Sequence, residues 1–215
     1  MTEEAESTRA ARERLVRDIE RFESIDPRVA SALRAVPRHL FVPAAVRDRA
    51  YEDGPLPIGH GQTISQPTVV GMMTGALQLR GGETILEVGT GSGYQAAVLS
   101  RLCGQVHSLE LLEALAETAR GALSAAGCCN VHVHVGDGYE GMPALAPFDG
   151  VIVTAAPLQI PQALVRQLRE GGRMVVPVGP QLGVQDLLVL HKRDGTVSRA
   201  SLGPVRFVPM VAARG

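Results

Sequence analysis

From Thr84 onward the chain alternates short apolar runs with helical stretches, and this alternation constrains the fold more than any other feature. Residues 84–88, 105–109, 131–135, 150–154, 173–178 and 186–192 read as strands. Helical stretches fall between them at 94–102, 112–126 and 160–169. Strand, helix, strand, repeated, predicts an α/β fold with a Rossmann-like, doubly wound, mostly parallel sheet. In such sheets ligands bind at the carboxyl ends of the strands, near the point where the strand order reverses. Upstream, residues 7–23 place Leu15, Ile19 and Phe22 at helical spacing among Arg and Glu, which predicts an amphipathic helix. Asp26 and Pro27 form an N-cap and N1 pair for a second helix ending before Pro37. Residues 37–67 then carry Pro37, Pro43, Pro55, Pro57 and Pro67 with Gly54, Gly59 and Gly61, and read as one long irregular loop. Loops of that length in compact domains are usually functional.

Composition removes several classes. Lys and Arg number 21 against 22 Asp and Glu, so no basic field points to nucleic acid. No apolar run approaches the ~18 residues of a membrane span. The first fifteen residues are charged and lack an apolar signal segment, so a cytoplasmic location is expected. Cys103, Cys128 and Cys129 are odd in number and lack metal-ligand spacing, which fits reduced thiols. His132 and His134 share a strand face, yet no third ligand is evident, and no metal is expected. Glycine is in excess: 24 residues, where average usage of about 7% would give about 15. Many of them fall just after the predicted strands.

The first predicted strand runs into LEVGTGSGYQAA, where Gly89, Gly91 and Gly93, interleaved with Thr90 and Ser92, open a helix. Glycines there permit close backbone approach and let helix N-terminal amides face a ligand. Read from Gly91 to Ala96 the segment also satisfies G-x-G-x-x-A, so a dinucleotide remains open. Glu87 stands two residues before Gly89, where its charge would repel a pyrophosphate and favour a cationic ligand. S-adenosylmethionine, with a sulfonium and an ammonium, suits that position better. Glu110 follows the second strand near the ~20-residue offset of a ribose-binding carboxylate. After the third strand, GDGYEG offers Asp137 and the bare backbone of Gly138 to an adenine amino group. A nucleoside cofactor is the favoured reading.

With these residues in view, the sequence resembles the protein-L-isoaspartate O-methyltransferases. The resemblance rests on VPRHLFVP (36–43), LPIGHGQTISQP (56–67), LEVGTGSGYQAAVLS (86–100), the GDGYEG loop, APFDGVIVTAAP (146–157), GGRMVVPVG (171–179) and VRFVPMV (205–211). These span nearly the whole chain in order. The glycine loop is shared by many methyltransferases, whereas GQTISQP and the closing VRFVP are far more specific. The resemblance implies a class I S-adenosylmethionine-dependent fold with an N-terminal helical extension. It implies methyl transfer to the free carboxylate of isoaspartyl or D-aspartyl residues in damaged proteins and peptides, with S-adenosyl-L-homocysteine as product. The ester then closes to a succinimide that hydrolyses partly to aspartate. The family's active-site serine falls on Ser65, and His60 and Thr68 depart from the family pattern in ways that bear on peptide preference. One domain over 1–215 is expected, with 1–67 as helical extension and substrate loop and 68–215 as cofactor-binding core. A monomer without nucleic-acid or membrane partners is expected.

A substrate carboxylate is already ionised at neutral pH, so catalysis calls for alignment and desolvation rather than a general base. The Ser65 hydroxyl suits that task, with Thr63 and Gln66 beside it, and Val205 and Phe207 are candidates for contacts to the substrate backbone. For Ser65 and Gln66 the competing reading is a helix cap, with Pro67 at N1. For Val205 and Phe207 it is core packing. Arg38 and His39 receive no chemistry. Three other readings stay open: a tailoring methyltransferase acting on normal aspartate, a nicotinamide-dependent oxidoreductase, and a non-catalytic cofactor-binding module.

Overall fold

A computed structural model describes residues 3–213 apart from Leu182, with the side chains of residues 3–5 and of Phe22 outside the description. Helix α1 (Glu3–Phe22) buries Leu15, Val16 and Ile19 on one face, while Phe22, the third residue of the predicted stripe, lies outside the described side chains. Helix α2 (Pro27–Ala35) starts as predicted: the Asp26 side chain accepts from the Arg28 amide, and Pro27 occupies the first turn. Arg34 ties the two helices together through Glu13 and Glu20.

The stretch read as one irregular loop is more ordered than the sequence indicates. It contains 3-10 turns at Arg38–Phe41 and Ala44–Arg49, then a hairpin of strands β1 (Leu56–Gly59) and β2 (Gln62–Ile64). The strands are too short to show a period, and their prolines masked them. Helix α3 (Pro67–Ala76) follows directly.

The remaining elements are β3 (Thr84–Val88), α4 (Tyr94–Leu99), β4 (Gln105–Glu110), α5 (Glu113–Ala125), β5 (Val131–Val135), β6 (Phe148–Val153), α6 (Gln162–Gln167), β7 (Leu168–Val178), β8 (Gln185–Arg193) and β9 (Thr196–Val205). The sheet order is β5-β4-β3-β6-β7-β8-β9, parallel from β5 to β7 and antiparallel beyond. The expected doubly wound, mostly parallel sheet is therefore present. Strand β9 is absent from the sequence reading. Most of its residues are exposed, so it lacks the apolar period that marked the others.

Alternation along the central strands splits the core in two. Ile85, Val106, Ile152 and Val175 face the side covered by α1 to α5. Leu86, Leu109, Val151 and Met174 face the side covered by α6 and the C-terminal segment. The strand order reverses at β3, flanked by β4 and β6, and this places the ends of three strands around one hollow. No described helix is long and apolar enough to cross a membrane.

Candidate active site

The hollow at the strand ends is a deep cleft lined by three loops and a hairpin. Val88, Gly89, Thr90, Gly91 and Ser92 come from β3 and the turn after it, Leu109 and Glu110 from the end of β4, and Thr154 and Ala155 from the end of β6. Gly138 and the 208–211 segment form one wall; Gln62, Thr63, Ile64 and Ser65 form another. A second groove, lined by Pro55, Gln66, Val69, Val184 and 204–208, opens beside it. The two share Thr63, Ser65, Thr154 and Val208, so Ser65 stands at their junction.

The glycine loop is shaped for close approach. Gly89 has φ +97, and a methyl group there would come to 2.5 Å from Thr154 Oγ1. That hydroxyl donates to the carbonyl oxygens of Val88 and Gly89, locking the ends of β3 and β6 together. Glu110 accepts from the amides of Gly91 (2.8 Å) and Leu112 (3.0 Å), one on each oxygen. Each oxygen keeps a further lone pair, so this carboxylate still suits a vicinal diol. It also rims the cleft.

Three residues expected at the cofactor lie outside the lining of the cleft. Glu87 is wholly buried beneath the loop and does not line the cleft. Ser108 donates to its carboxylate, and Thr90 Oγ1 lies 2.5 Å from Ser108 Oγ. Burial raises its pKa to about 8, against the pull of the Ser108 hydrogen bond, so the carboxyl is largely neutral at pH 7. The charge argument that separated a sulfonium from a pyrophosphate thus has no fixed charge behind it. Gly93 also lies away from the cleft; its φ of +86 starts α4, and a side chain there would press on Leu123 and Ala119 of α5. Asp137 is half-buried and accepts from the amides of Tyr139 and Ala213 at 2.8 and 2.7 Å. Its neighbour Gly138 alone reaches the cleft, where a Cβ would collide with Val88 and Met210.

The substrate-side residues sort more simply. Thr63 and Ser65 line both cavities, and Gln66, Val205 and Phe207 line only the groove. Helix capping does not consume Ser65. Gln66 occupies the N-cap without a side-chain cap bond, and Asp53 instead accepts from the Thr68 amide at 2.9 Å. For Phe207 core packing is present: its side chain packs on the core, and its backbone amide and carbonyl are held by Gln185. His132 and His134 meet a third histidine across the strand pair: His107 Nδ1 lies 3.2 Å from His134 Nε2, and its ring stacks on His132. Among the described residues no group is placed to hold a metal.

Sequence reasoning missed Thr154 and Gln95 in the cleft and Arg38 beneath it. Thr154 ends a predicted strand beside the reversal point, a signal that topology supplies. Arg38 has no local signal, because its role depends on three segments meeting in space.

Residues 10–215 match the family model of the protein-L-isoaspartate(D-aspartate) O-methyltransferases. The chain belongs to this family. A protein-L-isoaspartate O-methyltransferase from Methanoculleus marisnigri is 50% identical over 99% of this chain and 96% of its own length. One from Opitutus terrae is 53% identical over 86% of this chain and 79% of its own. A solved protein-L-isoaspartate O-methyltransferase superposes with a TM-score of 0.85 at 30% identity, over 95% of this chain and 66% of that one. A candidate protein-L-isoaspartate O-methyltransferase from Plasmodium falciparum, solved with S-adenosyl-L-homocysteine, shares the fold with a TM-score of 0.81 at 23% identity, over 93% of this chain and 98% of that one. The segment carrying Ser65 and the glycine loop after β3 line one cleft here.

Proposed function

We propose that the cleft carries out the family reaction, methyl transfer from S-adenosylmethionine to the free carboxylate of L-isoaspartyl or D-aspartyl residues in damaged proteins, the α-carboxylate in the isoaspartyl case, with Ser65 aligning the carboxylate. The observation that carries this reading is the position of Ser65 where the two cavities meet.

The residues present fit a nucleoside cofactor. Gly89, Gly91 and Gly138 leave the rim free of side chains, and Glu110 faces the cleft with unused acceptor capacity. Glu110 would take the ribose hydroxyls, Thr90 and Ser92 the polar tail, and Gly138 the adenine edge. Bound S-adenosylmethionine supplies a methyl carbon already activated by its sulfonium. The chain itself must orient the nucleophile and keep water away. The Ser65 hydroxyl donates to one carboxylate oxygen, leaving the other directed along the transfer line, and Thr63, which lines the same two cavities, assists. The groove, with Gln66, Val205 and Phe207 along it, receives an extended peptide. No proton need be removed, since the substrate carboxylate is ionised at neutral pH. The methyl ester then closes to a succinimide without the enzyme's help, and its hydrolysis returns part of the chain to aspartate.

Ser65→Ala provides the test. Its fold and its affinity for S-adenosyl-L-homocysteine should be unchanged, while kcat on an isoaspartyl peptide falls by about 100-fold. Unchanged kcat would remove Ser65 from the mechanism.

A further inference from the structure

Arg38 is wholly buried in the first 3-10 turn, and hydrogen-bonds to no carboxylate among the described residues. A buried guanidinium without a paired anion is costly unless hydrogen bonds compensate it. Its fork spans three segments. Nη1 donates to the Ala50 carbonyl at 2.6 Å, and Nη2 donates to the carbonyls of Gly54 and Ser65 at 3.0 and 3.1 Å. The guanidinium carbon Cζ sits over Tyr94, 5.6 Å from the ring centre. Tyr94 opens α4 directly after the glycine loop and lines the cleft. Arg38 Nε remains buried without a partner, so the arrangement does not satisfy the side chain fully.

We propose that Arg38 is a positioning residue for methyl transfer, acting through the backbone of Ser65. Holding the Ser65 carbonyl fixes the peptide plane that follows it, and with it the direction of the hydroxyl on the other side of the Cα. Ala50 and Gly54 bracket Asp53, whose carboxylate accepts from Gln66 Nε2 and from the Thr68 amide and hydroxyl. Ser65 and the residues that follow it therefore hang from one node, and Tyr94 ties that node to the start of the cofactor helix. Only a planar fork reaches diverging carbonyls at once; the single ammonium of lysine does not reproduce it. Arginine at position 38 thus sets the registry between the cofactor wall and the substrate wall.

The inference rests on the assignment of Ser65, and a double-mutant cycle separates the two. Ser65→Ala, Arg38→Lys and the double variant are compared for kcat and KM on an isoaspartyl peptide, with binding of S-adenosyl-L-homocysteine as control. Arg38→Lys should lower kcat by about 100-fold, the scale of a 1 Å misplacement, while the control affinity holds. Adding Ser65→Ala to Arg38→Lys should cost little more, because the lysine variant has already lost the aligned hydroxyl. Full loss from Ser65→Ala with additive effects in the double variant would overturn the role of Arg38 and leave that of Ser65 intact. Full activity in Ser65→Ala would overturn both. Loss of S-adenosyl-L-homocysteine binding in both Arg38→Lys and Arg38→Gln would also overturn it, assigning Arg38 to the fold alone.

Discussion

At the residue scale, Glu87 shows how position and environment separate. Its place two residues before the glycine loop is plain in the sequence, but its surroundings come from strands β4 and β6 packed on either side. Desolvation there raises its pKa from 4.5 to about 8, opposed by the Ser108 hydrogen bond and reinforced by the charge on Glu110. The native state therefore holds a proton that the unfolded chain releases between about pH 4.5 and pH 8. Folding stability must fall as pH rises through that window, by up to about 1.4 kcal/mol per pH unit. Glu87→Gln removes the titrating group. Thermal unfolding of the cofactor-free protein between pH 5 and pH 8 should show the variant gaining on the wild type as pH rises. Parallel curves would mean that Glu87 is charged in the native state. Ser65 and Glu110, by contrast, were legible as candidates, one through the TISQP segment and one through its offset after a strand, and both line the cleft. Arg38 was not, because three carbonyls at positions 50, 54 and 65 define it only after folding.

Strands with an apolar run or alternation of their own were legible almost to the residue: 84–88 and 131–135 match strands β3 and β5. Elements stabilised by long-range partners were not. Strand β9 has little apolar pattern of its own and forms by pairing along β8. The start of α3 is a further case. The sequence offered Ser65 or Gln66 as its cap, yet the acceptor is Asp53, thirteen and fifteen residues before its partners Gln66 and Thr68. A cap supplied from that distance links the helix to the hairpin region as well as closing its first turn. Asp53→Ala should then destabilise the protein by about 1 kcal/mol, the usual cost of a lost N-cap. For a chain of this length that corresponds to a melting temperature lower by about 2–4 °C. Loss of activity beyond the fraction unfolded would show that the same contact also steadies Gln66 in the groove. An unchanged melting temperature would rule out the cap.

At the scale of the whole molecule, function follows from where the sheet reverses. Three strand ends converge there, their loops are short or glycine-bearing, and the N-terminal segments fold back to place the serine hairpin over them. The fold class was readable because period and spacing are local properties summed along the chain. The closing of the cleft by the 208–211 segment was not, since it depends on Ala156 bonding to Val208 and Met210 across the molecule. Neither the nicotinamide-dependent nor the non-catalytic reading explains a serine placed between a nucleoside cleft and an open peptide groove. The separation between repair and tailoring chemistry lies in the groove, which must accept a backbone displaced by one methylene and reject the normal one. The most direct test is a methylation assay on one peptide in its L-isoaspartyl and L-aspartyl forms, with S-adenosylmethionine as donor. The account predicts rapid methylation of the isoaspartyl form and essentially none of the aspartyl form; equal rates on both, or on neither, would contradict it.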